Sequence, residues 1–396
     1  MVMVDLSITR EEYLDRRARV AAALEREGVA AMVLFNSTSI AYLTAFAFIP
    51  TERPAALVLE RDRASLFLPR LDLEHAEETA IVDRVQSYPE YPGEHHPMRG
   101  LADFVRELGL ASESLAADAP GYGSGMGYEG PRLEEVLPSA KFRLLPKLVE
   151  RLRMIKSPQE VRLIRESSRW ANLAHALLQE YSCPGLTENE IAMRASLEAT
   201  QAMIRTLGTS FEPRGGEGAF AGFRGQIGPN SALPHAITRN LRLRPGDVLV
   251  TGASSSVWGY HSELERTMFV GKPDPQQRRF FDLMVAMQDL ALASIRPGLP
   301  CSEVDRAVRS FFDRHELWPH WRHHVGHALG MLGHEAPFFD IGDETIIEPG
   351  MVFSVEPGLY VPGLGGFRHS DTLVVTEEGI DLLTYYPRDL DSLICG

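Results

Sequence analysis

Arg322-His323-His324-Val325-Gly326-His327-Ala328-Leu329-Gly330-Met331-Leu332-Gly333-His334-Glu335 gathers four histidines and three glycines into fourteen residues. A helical zinc-protease motif needs Glu directly after its first His, and here His324 follows His323. Gly326, Gly330 and Gly333 also oppose a helix. The stretch therefore reads as extended. A two-residue period then puts His323, Val325 and His327 on one face, and the glycines let backbone or ligand approach closely. A lone histidine is more often structural than functional. Four in a Gly-punctuated run predict a site, though not a role for each.

Flanking segments supply further chemistry. Downstream, Glu348-Pro349-Gly350 turns into an apolar strand, Met351 to Val355, that delivers Glu356. That acid is either functional or simply emerging into solvent. Gly365-Gly366-Phe367-Arg368-His369-Ser370-Asp371 follows, where Arg368 could clamp a substrate carboxylate or pair with Asp371. Upstream, Gly228-Pro229-Asn230-Ser231-Ala232-Leu233-Pro234-His235 aims His235 from a loop stiffened by two prolines. Gly246 to Gly252 reads as a turn and strand, and Tyr260 to Thr267 as the next strand. On it Glu263 and Glu265 share a face, able to hold a metal or a cationic substrate, or merely to face water.

The first half of the chain alternates helix and strand. Thr9-Arg10-Glu11-Glu12 is a capping box, and its helix leads into the strand Ala31 to Phe35. Strands at Ala55 to Leu59 and Ala64 to Leu68 complete the signature of an α/β domain over 1–145. A second domain, 146–396, has its clearest helix start at Ser157-Pro158-Gln159-Glu160. Pro184-Gly185-Leu186-Thr187-Glu188 is echoed by Pro297-Gly298-Leu299-Pro300-Cys301-Ser302-Glu303. The echo suggests a duplicated ααβ unit about a pseudo-two-fold axis, or only common helix punctuation.

With 396 residues, two domains are the natural expectation. A formal charge of −14 argues against nucleic acid as a partner. The N-terminal region has neither a basic segment leading into an apolar run nor a long apolar stretch, so a cytoplasmic protein without membrane contact is expected. Cys183, Cys301 and Cys395 are too few and too scattered for a disulfide framework or a zinc site.

Taken in order, Met154-Ile155-Lys156-Ser157, the Pro229-Asn230 to His235 loop, the Glu263/Glu265 strand, the His/Gly run, Glu356-Pro357-Gly358 and Gly366-Phe367-Arg368 resemble the pita-bread family. That family includes Xaa-Pro aminopeptidase, prolidase, methionine aminopeptidase and creatinase. The resemblance implies a creatinase/prolidase-type α/β domain followed by a pita-bread (duplicated α+β) catalytic domain, and a homodimer. Peptidases of the family hold two divalent ions with two Asp, one His and two Glu. By resemblance these positions fall on Gly252, Glu263, His327, Glu356 and Ser370, so the cage is incomplete. One ion (manganese, cobalt or zinc) on Glu263, His327 and Glu356 is implied, or none. His235, His334 and Glu356 are then the expected catalytic groups, and Glu265, His323 and Arg368 the expected substrate contacts.

The leading expectation is a hydrolase of the Xaa-Pro dipeptidase or aminopeptidase kind, acting on a dipeptide or other small molecule. Creatinase, which resembles this chain in lacking the cage, offers a metal-independent alternative in which His235 carries the proton and Glu265 and Glu356 grip a cation. Ectoine hydrolase resembles it in the same respect. A non-catalytic binding protein on this fold is the third reading.

Overall fold

A computed structural model describes residues 6–123, 125–215 and 218–396, and the chain divides into two units, Ile8–Arg153 and Met154–Gly396. The first unit runs past residue 145, through most of the helix Leu148–Met154. Its first helix, Arg10–Glu27, opens where Thr9 accepts from the Glu12 amide and ends at Gly28 in the left-handed region. The sheet has six strands in the order Arg84–Tyr88, Ala64–Pro69, Ala56–Glu60, Ala31–Leu34, Ser114–Ala117, Lys141–Leu144. Every residue of the central strand Ala31–Leu34 is buried, as a strand covered on both faces requires.

The second unit is built on a larger sheet whose main path runs Glu335–Phe339, Gly326–Ala328, Val352–Val355, Ser370–Val375, Leu264–Val270, Val248–Ser254, Phe220–Gly222. Ser157 accepts from the Glu160 amide and Glu160 reaches back to the Ser157 amide, starting the long helix Pro158–Tyr181.

Two halves of this unit repeat one hydrogen-bonding plan. Gly185 (φ +91°) donates to Leu243 O and Leu243 donates to Leu186 O; Gly298 (φ +87°) donates to Ile347 O and Ile347 donates to Leu299 O. Both turns need the left-handed backbone that glycine adopts without a Cβ penalty. Further on, Gly246 donates to Val270 O as Gly350 donates to Val375 O. The helix after the first turn, Glu188–Leu207, is capped by Thr187. Its counterpart Cys301–His315 starts at Pro300 without a side-chain cap, and Ser302 Oγ is buried without a hydrogen-bond partner among the described residues.

Adjacent strands of the sheet are locked by a fully buried ion pair. Arg266 Nη2 meets Asp371 Oδ1 at 2.8 Å, and Asp371 also accepts from Thr384 Oγ1 and Gln288 Nε2. So many partners offset the cost of removing both charges from water. Among the described residues no helix is long and apolar enough to cross a membrane.

His175 makes the fold acid-sensitive. It is wholly buried, 2.7 Å from Thr251 Oγ1. Since that hydroxyl donates to Arg266 O, it accepts from His175, which puts a proton on Nε2. Burial, helped by the Arg266 charge, pushes its pKa from 6.5 down to about 3. The unfolded chain therefore binds a proton that the native chain refuses, and stability falls as pH drops through that window. Denaturant titrations at pH 6.5 and below should show His175 contributing a loss of about 1.4 kcal/mol per pH unit. His175→Gln should flatten the dependence by that amount; an unchanged slope would contradict the assignment.

Candidate active site

Strand pairing sets the site. Glu265 lies opposite Gly252 on one neighbour and opposite Ser370 on the other, while His327 lies opposite Ser354. Glu263 sits just before the strand Leu264–Val270, and its backbone is held by Thr372, whose Oγ1 accepts from Glu263 N at 2.9 Å and donates to Glu263 O at 2.7 Å. Glu356 follows the strand Val352–Val355 and donates its amide to Val325 O. Three carboxylates, Glu263, Glu265 and Glu356, thus have oxygens within 4.8 Å of one another.

Each acid is compensated differently. Glu263 Oε1 accepts from Ser354 Oγ at 2.6 Å and Ser370 Oγ at 2.8 Å. Burial and the neighbouring charges of Glu356 and Glu265 still raise its pKa. Burial pushes Glu356 the same way, but His327, Arg368 and His323 outweigh it and hold the carboxyl far below its usual range. Glu265 faces two arginines. Arg368 donates to both of its oxygens through Nε and Nη2, and Arg224 Nη2 reaches Oε1 at 2.8 Å.

His327 is fully buried. Its Nδ1 lies 3.1 Å from Ala328 O, so that nitrogen carries a proton and Nε2 faces the acids, 3.4 Å from Glu356 Oε1 and 3.9 Å from Glu263 Oε2. These are ion-pair distances without hydrogen-bond geometry, and Nε2 is a buried polar atom without a hydrogen-bond partner among the described residues. Although burial opposes it, Glu356 and Glu263 raise the His327 pKa to about 9. The carboxylates draw positive charge to this nitrogen, and a divalent ion would compete with the proton there. A backbone carbonyl behind the far nitrogen is also what orients a metal-binding imidazole. The donor atoms of Glu263, His327 and His334, and those of Glu263, Glu265 and Glu356, lie within 4.8 Å of one another, a set that fits a divalent ion. A Cβ at residue 252 would stand 3.4 Å from Glu265 Oε1.

His334 stacks on His327 with ring centroids 3.7 Å apart and brings a ligand atom into the group formed by Glu263 and His327. Its pKa is lowered, first by loss of water and then by the His327 charge, with His324 and His235 adding. His235 itself is exposed, beyond the short helix Gly228–Ala232. The loop bearing His334 is anchored from below, where buried Glu335 pairs with buried Lys156 at 3.3 Å and accepts from the Leu332 amide.

Two expected substrate contacts already have protein partners. Arg368, 3% exposed, is bound to Glu265 and Tyr360 rather than to Asp371, which belongs to Arg266. His323 donates from Nδ1 to His324 O at 2.8 Å, so its Nε2 accepts from Tyr360 Oη, also at 2.8 Å. Tyr360 and Arg224 have no signal in the sequence: one lies in an ordinary apolar strand, the other in an unremarkable loop.

Known proteins place these features in context. The model of metallopeptidase family M24 matches residues 162–377, and that of the creatinase/prolidase N-terminal domain matches 16–155. A probable dipeptidase PepE of Mycobacterium tuberculosis is 30% identical over 386 residues, 96% of each chain. The Xaa-Pro dipeptidase of Pyrococcus horikoshii is 27% identical, over 84% of this chain and 87% of its own. A solved Xaa-Pro dipeptidase from Bacillus anthracis superposes with a TM-score of 0.80 at 25% identity, covering 96% of this chain and 99% of that one.

Tyr360 bridges Arg368 and His323, accepting from one and donating to the other. Burial pushes its pKa up to about 12, so the hydroxyl keeps its proton at neutral pH. Tyr360→Phe would leave a guanidinium N–H and an imidazole nitrogen unsatisfied. Denaturant unfolding should register a loss of about 1–3 kcal/mol; a loss below a few tenths would show that the bridge is not structural.

Proposed function

The chain belongs to metallopeptidase family M24, and we propose that it hydrolyses an amide-type C–N bond of a small substrate, an Xaa-Pro dipeptide, using one divalent ion instead of two. The observation that carries this reading is the buried Nε2 of His327, held at ion-pair distance between Glu263 and Glu356 and without a hydrogen-bond partner among the described residues. Glu263, His327 and Glu356 would hold manganese, cobalt or zinc, three protein ligands being enough for a catalytic site with room for water. A divalent ion bound there supplies a Lewis acid and lowers the pKa of a bound water. Gly252 and Ser370 are the reason for one ion, since neither carries the carboxylate that a second would need.

The chain's own residues supply the rest. His334 is biased toward the neutral imidazole, ready to take a proton at one step and return it at the next. His235, on its proline-stiffened loop, is the second proton carrier. Arg368 keeps Glu265 and Tyr360 in place and stands 3.6 Å from Glu356 Oε2, preserving the charge of that carboxylate. Likeness to the Xaa-Pro dipeptidase relatives supports the substrate class.

The creatinase-like alternative draws on the same Gly252 and Ser370. Against it, Glu265 would have to grip a cationic group while already lying between two arginines.

Purified protein incubated with a panel of Xaa-Pro dipeptides, with and without manganese, cobalt or zinc, should release proline only when an ion is supplied or retained. Absence of turnover under every condition would remove the peptidase reading, and turnover undiminished by a strong chelator would favour the metal-independent one.

A further inference from the structure

Two guanidinium groups share the single negative charge of Glu265. Arg368 is buried, and its donors go to both Glu265 oxygens and to Tyr360 Oη. Arg224 is different: its side chain is 46% exposed, and only Nη2 is engaged, with Glu265 Oε1 at 2.8 Å and more weakly with Gln226 Oε1 at 3.4 Å. Its Nε and Nη1 donate to no described residue. Arg368 also stands 3.6 Å from Glu356 Oε2, so its charge is shared by two buried acids, and the solvent-accessible cation at Glu265 is Arg224.

The loop holds Arg224 in place. Its backbone is left-handed (φ +51°), an uncommon conformation for a residue with a side chain, and Gly225 follows at φ +74°. Buried Glu188 accepts from the Gly225 amide at 2.8 Å and also from the Arg239 and Leu241 amides. Gln226 N donates back to Phe223 O. Glu265 Oε1, which Arg224 touches, is the atom beside the space left by the missing side chain of Gly252. A cation therefore stands at the rim of the acid cluster, fixed at its base and open at its tip.

We propose that Arg224 is a specificity-determining residue that binds a carboxylate of the substrate, so that the site prefers a small substrate with a free carboxylate over its neutral amide. Arg368 lies behind it and keeps Glu265 in position. The free Nε and Nη1 donors each offer a charge-assisted hydrogen bond to a carboxylate oxygen. This inference rests on the amide-hydrolase reading only in its choice of probe.

The test compares calorimetric binding of glycyl-L-proline and glycyl-L-prolinamide to the full-length protein as purified, alongside turnover of both. Wild-type protein should bind the acid more tightly than the amide. Arg224→Met should weaken the acid about 10- to 100-fold, the range for one charge-assisted contact, and leave the amide unchanged. Arg224→Lys, which keeps the charge, should recover part of the preference. A residue that only supports Glu265 would move both ligands together, and that result overturns the proposal. So does a wild type with no acid preference, including one that binds neither ligand. An acid preference lost in Arg224→Met, without turnover of either peptide even when manganese, cobalt or zinc is supplied, would retain this inference and remove the hydrolase reading; turnover without preference would do the reverse.

Discussion

Three carboxylates with oxygens within 4.8 Å of one another repel, by roughly 4 kcal/mol per pair at 4 Å with an effective dielectric near 20. Compensating that repulsion is the constraint around which the site is built. Glu265 is compensated by Arg368 and Arg224, Glu356 by His327 and Arg368, and Glu263 mainly by the hydroxyls of Ser354 and Ser370. Hydroxyls neutralise least, and Glu263 is the acid whose pKa is raised. The place where positive charge is most wanted is therefore between Glu263, Glu356 and the open nitrogen of His327.

The duplicated fold provides the rigidity this cluster needs. Leu264–Val270 carries Glu265 and Ser370–Val375 carries Ser370, and the Arg266–Asp371 pair ties these two strands together from within. Thr267 Oγ1 accepts from Arg368 N and donates to Arg368 O, setting the arginine level with Glu265. Gly326, beside His327, lets the strands approach to a distance at which a Cβ would stand 2.1 Å from Ser354 O. Side chains on strands fixed at this spacing have little freedom to relax, which is how like charges are kept together in a functional site.

Local signals made much of this legible. The Thr9 cap and the Ser157 capping box start their helices where the sequence puts them, because a cap is a contact between residues three apart. His327, Glu263 and Glu356 were identifiable because the motifs carrying them lie in short, Gly- or Pro-marked segments. Arg368 shows where such reading stops. Its nearby acid, Asp371, is taken by Arg266, and its actual partner Glu265 is 103 residues away. Tyr360 and Arg224 escaped for the same reason: their importance comes from strand pairing and from one loop conformation, neither of which leaves a mark in composition or spacing. The His/Gly run is non-helical, as its glycines require, but its strand starts at Gly326, so His323 lies outside it and turns to Tyr360.

Under the proposed reading, the chain holds one cation, at Glu263, His327 and Glu356. Elemental analysis of the purified chain after loading with excess manganese, cobalt or zinc and desalting counts the bound ions without needing a substrate. One ion per chain is the predicted result; two ions per chain, or none with any of the three metals, would contradict it.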